Sequence, residues 1–194
     1  MPRLRLATAL LAPALLPGPV ALAQAGAIEP TFQLDRKHDV RGPLDIVRVA
    51  MSKRLNGTLR GELTMRKGWE DADLGGGSLC IRLYVKTDPE SQVPEYLVCA
   101  TQAKAGGALV GKVLRNRANG LPRTVGEADV ARPTARSIHL SFDPSAIRSP
   151  EKLRFAGESV WRGPRCPRAT GCTDLAPDAP DARDFRLRRD SASG

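Results

Sequence analysis

The residues best spaced for chemistry are three carboxylates, Asp35, Asp39 and Asp45, in the run DRKHDVRGPLDIVRVAMSK. Hard cations such as calcium take roughly six to eight oxygen ligands, and a turn that brings aspartates close to backbone carbonyls supplies both kinds. Gly42 and Pro43 mark the segment as a turn. The spacing is not that of a helix-loop-helix calcium loop, and Arg36, Lys37 and Arg41 lie among the acids and oppose a cation. The competing chemistry is capping, in which aspartate side chains accept hydrogen bonds from nearby backbone N–H groups. A second acidic set, Asp174, Asp178 and Asp181, reaches the first if the two ends of the chain meet. Calcium at Asp35, Asp39 and Asp45 is therefore the single metal candidate, and no other cofactor is expected.

Catalytic patterns are sparse. His38 falls in the acidic turn, and His139 falls on the polar face of 136–142 beside Ser137 and Ser141, while Ile138, Leu140 and Phe142 point inward. There is no G-x-S-x-G elbow and no H-E-x-x-H pair. The glycines from Gly75 to Gly77 lack the lysine of a phosphate-binding loop and read as a flexible connection. No catalytic residue is assigned, and the chain is expected not to be an enzyme. Sugar-stacking rings are few: Trp69, Trp161, Tyr84 and Tyr96, the two tyrosines on opposite faces of their strands, while Phe32, Phe142, Phe155 and Phe185 are expected in the core. Basic residues interleaved with aromatics, the pattern of nucleic-acid binders, are absent, so no nucleic-acid partner is expected.

At the start of the chain, MPRLRLATALLAPALLPGPVALAQA reads as a secretory signal over residues 1–25. Arg3 and Arg5 give a positive start, Leu6 to Leu16 an apolar core, and small residues allow cleavage after Ala25, or alternatively after Ala23. Pro13 and Pro17 interrupt the apolar run, which is shorter than the roughly 20 residues of a membrane span. No other apolar stretch is long enough, so the mature chain is expected to carry no transmembrane segment. Lys and Arg number 30 against 21 Asp and Glu, a net charge of +9, and losing Arg3 and Arg5 leaves 28 − 21 = +7. Such a charge favours anionic partners, here an anionic cell-envelope polymer or glycan, although the arginines are spread one or two per strand.

After a short polar lead from Gly26 to Gln33, strand signals run through 33–162, the expected single domain. Ile46 to Arg54 and Thr58 to Met65 alternate apolar and polar residues. A two-residue Asn56-Gly57 turn would put their apolar sets on opposite faces; a three-residue Leu55-Asn56-Gly57 loop opposes Val49 to Leu63 and Met51 to Gly61. Further strands are expected at 78–86, 95–101, 108–115, 124–131, 136–142 and 153–161. Pairing Ile81 with Val98 and Leu83 with Tyr96 sets Cys80 opposite Cys99, so one register satisfies the apolar faces and a disulfide. Cys166 and Cys172 enclose a small loop, the second pair of an even cysteine count expected in an oxidising compartment. Residues 163–194 read as an irregular, partly disordered tail tied by that loop, with an edge strand at 185–187. The fold class expected is all-β: a two-sheet antiparallel β-sandwich, immunoglobulin-like or jelly-roll-like.

The run D-x-x-x-D-x-x-G-P-L-D-I-x-x-V from Asp35, the S-L-C strand at Ser78, the strand ending V-C at Cys99 and the S-x-x-L-x-F strand from Ser137 resemble small secreted β-sandwich proteins of high-GC actinobacteria. The likeness spans nearly the whole mature chain. Its opening is distantly similar to the D-P-x-G-D segments of calcium-associated sandwich modules appended to carbohydrate-active enzymes, with Lys37 and His38 where that pattern has glycine. The resemblance implies export, a sandwich and the Cys80–Cys99 bridge, and no activity. The resulting expectation is a secreted, extracellular or cell-wall-associated, non-catalytic binding module; the alternative is a secreted hydrolase or a calcium-dependent carbohydrate-binding accessory module.

Overall fold

The structure, a computed structural model, describes residues 28–35, 40, 42–86, 92–104, 106–178 and 181–187. The expected signal segment with Ala23 and Ala25, and also His38 and Asp39, lie outside the described residues. Alternating apolar side chains produce strands throughout: β1 (Ile28–Leu34), β2 (Ile46–Lys53), β3 (Leu59–Met65), β4 (Ser78–Tyr84), β5 (Tyr96–Gln102), β6 (Leu109–Arg115), β7 (Arg123–Thr134), β8 (Ser137–Phe142), β9 (Lys152–Trp161), β10 (Cys172–Ala176) and β11 (Arg183–Arg186). Two single 3-10 turns, Asp71–Leu74 and Pro144–Ile147, are the helical pieces among the described residues. No helix among them is long and apolar enough to cross a membrane.

The first hairpin has the register that the bulged loop requires, with Val49 opposite Leu63 and Met51 opposite Gly61. Gly57 turns the corner at φ +85°, a left-handed conformation that costs glycine little. In β3 the inward residues Leu59, Leu63 and Met65 are all buried, as period two demands. Gly61 completes that row because a Cβ there would come 2.5 Å from Ile81 Cγ1 of β4, so the facing layers touch too closely for any side chain. β4 and β5 pair with Ile81 opposite Val98 and Cys80 opposite Cys99. Cys80 and Cys99 stand at disulfide distance with Cα atoms 4.0 Å apart, and so do Cys166 and Cys172 at 5.0 Å.

The all-β, antiparallel expectation therefore holds. What alternation does not reveal is the path of the ladder, which runs β1-β2-β3-β8-β7-β6-β5-β4-β9-β10 without a break, with β11 also on β9. The long strand β7 makes this continuity: its first half pairs with β6, and from Asp129 onward it pairs with β8. The sheet curls until its ends meet, β2 lying on β9 and β10 and β1 on β11. The result is nearly barrel-shaped. Leu63, Ile81, Val98, Leu140, Phe155 and Phe185 are among the side chains that fill the interior.

Three local readings need correction. The stretch before Gln33, read as a polar lead, is strand β1, because its backbone pairs with β2 although its outward residues are apolar. Phe32 is consequently 50% exposed rather than core. The edge strand expected at 185–187 is present as β11, but the stretch before it, read as irregular, also supplies a strand, β10; both pair with β9, and β10 follows from an available edge rather than from intrinsic propensity.

Candidate functional site

The acidic turn leads into the seam where the curled sheet closes. Asp35, Asp45 and Asp174 are all buried there, Asp45 and Asp174 at only 1% exposure. Asp35 donates its N–H to the Val47 carbonyl at 2.9 Å, at the end of the β1–β2 ladder. Asp45 Oδ2 accepts from Arg66 Nε at 2.8 Å, and the Arg66 N–H donates back to the Asp45 carbonyl. A carboxylate this deep needs a cation beside it, and Arg66 is that cation. Asp174, from β10, accepts the Ile46 N–H on Oδ2 at 2.6 Å, and the Ser159 hydroxyl donates to the Leu44 carbonyl at 2.7 Å. The start of β2 is thus capped by Asp174, from the far end of the chain, while Asp45 takes an arginine. Asp178 and Asp181 follow β10, and the Asp181 N–H donates to the Asp178 carbonyl. No group of three or more His, Cys, Asp or Glu side chains among the described residues is arranged to hold a metal ion.

Removing the seam acceptor has a definite expected cost. Asp174→Ala should lose about 1–3 kcal/mol in urea unfolding, because the buried Ile46 N–H would be stranded. Asp174→Asn, which keeps an acceptor oxygen, should lose less; equal losses would argue against the capping role.

On the outer face of β2, β3 and β8, Glu62 is the hub. It pairs with Arg48, accepts from Thr64 Oγ1 at 3.4 Å, and lies 3.3 Å from His139 Nε2. The Arg48 guanidinium also covers the Phe32 ring at 5.0 Å, which accounts for that exposed aromatic. Trp69 is buried beneath Arg132, and Tyr84 and Tyr96 are buried, whereas Trp161 is partly exposed in a groove with Pro43, Lys67 and Arg165. His139 contacts no hydroxyl nucleophile among the described residues, Ser137 Oγ being bonded to Thr134 Oγ1 at 2.7 Å. Burial holds the His139 pKa below its ordinary value despite the opposing charge of Glu62, and Arg60 and Arg54 push it the same way as burial. The fold therefore prefers neutral His139. As pH falls through the ordinary histidine range, roughly pH 7.5 to 5, the unfolded chain takes the proton first, so this side chain should lower stability there. Urea melts across that range should show a slope that His139→Gln removes.

Beside this hub lies a groove lined by Pro30, Ser52, Lys53, Arg54, Arg60 and Glu62, among others. Arg60 sits between Ser52 and Ser141 in register, and its buried Nε has no hydrogen-bond partner. A second groove, of about 280 Å³, is lined by Lys86, Lys152, Arg154 and Arg186 over Tyr84, with Asp184 as its acidic member. Sequence reading treats these cations as a solvated surface because no two strands place them in one dense run. The available signal was parity: Arg60 and Glu62 share a face with Ser52 and Arg54.

No family model matches the chain, and searches of curated proteins and of solved structures found no similar protein.

Proposed function

We propose that this chain is a secreted, non-catalytic β-sandwich protein that binds an anionic polymer or glycan of the cell envelope, the curled sheet being a sandwich whose two layers share β7. The observation that carries the reading is the groove at the β2–β3 hairpin. It presents Lys53, Arg54 and Arg60, while its one acid, Glu62, is already engaged by Arg48 and His139. Such an excess of one sign attracts and retains a polyanion. Affinity measured by calorimetry against polygalacturonate and poly(glycerol phosphate) tests the reading. Saturable, salt-sensitive binding is expected to at least one polymer, weakened about tenfold or more by Lys53→Gln, Arg54→Gln and Arg60→Gln together. Binding to neither polymer would overturn it.

The alternative reading, a secreted hydrolase or a calcium-dependent carbohydrate-binding accessory module, puts calcium at Asp35, Asp39 and Asp45. Arg66 already supplies the counter-charge of Asp45, so thermal melts with calcium and with chelator are expected to coincide. A ligand bound only by the folded state would instead raise the melting temperature with its concentration, and such a rise would favour the calcium reading.

A further inference from the structure

We infer that the two basic grooves are the two halves of one track, so that the ligand is a linear polymer engaged along the rim of the sheet rather than a single anionic group. This rests on the polyanion reading above and specifies how that site is extended.

The connection is made at the seam. Lys53, which lines the first groove, donates from Nζ to the Leu187 carbonyl at 3.4 Å, and the Leu187 N–H donates to the Glu151 carbonyl at 2.8 Å. Directly beside that junction Arg186 is opposite Lys152 in the β11–β9 ladder, and both line the second groove. The ends of β3, β2, β11, β9 and β4 therefore lie side by side on one rim, and the basic residues stand on them in succession. β1 passes between β2 and β11, so five steps of about 4.8 Å carry the track over roughly 25 Å.

The lining of the two grooves is more basic than the chain as a whole. Four basic residues and Asp184 line one groove, three and Glu62 the other, giving 4 + 3 = 7 basic against 1 + 1 = 2 acidic among the described lining residues. Across the chain the ratio is 30 to 21. Two further acids lie beside the lining, Glu95 at 3.8 Å from Lys86 and Glu151, whose carbonyl takes the Leu187 N–H, so with them the rim carries 7 basic residues to 2 + 2 = 4 acidic ones among those described. A polymer with a regularly repeated carboxylate or phosphate meets both grooves at once, and the second contact is then intramolecular. Linked contacts of this kind raise affinity by roughly 10²–10⁴ over either alone.

The experiment compares long and short probes of the same chemistry: polygalacturonate against digalacturonate, and poly(glycerol phosphate) against glycerol phosphate. Two variants are used, one with Lys53→Gln, Arg54→Gln and Arg60→Gln, the other with Lys86→Gln, Lys152→Gln and Arg186→Gln, with thermal melts confirming that each folds. The favoured polymer, which identifies carboxylate or phosphate as the repeated group, should bind at least 100-fold more tightly than its short form. Either variant should lose most of that gain. Equal affinity for long and short probes, or a second variant that binds polymer like the parent, would overturn the track while leaving the polyanion reading intact. Failure of the parent protein to bind either polymer, or binding to anionic lipid vesicles alone, would overturn both.

Discussion

Truncating Phe155 to alanine is expected to cost about 3–5 kcal/mol, the loss of a large aromatic from a packed interior together with the cavity it leaves. Phe155 is fully buried on β9, the strand that pairs with β4 on one side and with both β10 and β11 on the other. Its ring meets Phe185 of β11 edge to face, with centroids 6.5 Å apart. The cavity would open under the strand that closes the seam, so β11 should loosen before the rest of the sheet. For a chain of this size the melting temperature should fall by on the order of 10 °C. Amide exchange should accelerate most at 183–186. A loss below about 1 kcal/mol would mean that the interior collapses around the site more easily than this packing allows.

Removing the Cys80–Cys99 bridge with Cys80→Ala and Cys99→Ala is the second large effect, expected at roughly 2–4 kcal/mol. The bridge closes a sequence separation of 19, against 6 for Cys166–Cys172. Loop-closure entropy lost from the unfolded chain grows with loop length, so the pair Cys166→Ala and Cys172→Ala should cost less, by about 1 kcal/mol in that account. Guanidinium unfolding of both double variants under non-reducing conditions gives the ranking. The reverse order would show that the β4–β5 ladder already holds these strands together in the unfolded ensemble. Peptide mapping without reductant that joined Cys80 to Cys166 or Cys172 would contradict the pairing itself.

Much of the strand framework was legible because it depends on short-range alternation. Val49, Met51, Leu63 and Met65 can share a face only if Leu55-Asn56-Gly57 makes a three-residue loop, and Cys80 meets Cys99 in the same register that buries Ile81 and Val98. Period-two burial and a cross-strand bridge are local constraints, and a one-residue slip would break both at once. Phe32 shows the limit of that logic. Its apolar character argues for the core, yet on an edge strand it points outward beneath Arg48.

The composition of 163–194, rich in Pro, Asp and Arg, likewise argued for irregular chain, but β9 offers an unpaired edge there and backbone hydrogen bonding overrides weak propensity. The amino-acid sequence by itself determined the strand class, the registers of the β2–β3 and β4–β5 hairpins and which of their side chains turn inward, since each follows from short-range alternation. Only the tertiary structure decided that β7 joins the two halves of the sheet and that the curl closes at a seam. Closure brings Asp174 to Ile46 across 128 residues and Lys53 to the Leu187 carbonyl across 134, contacts that depend on accumulated strand twist rather than on any local pattern.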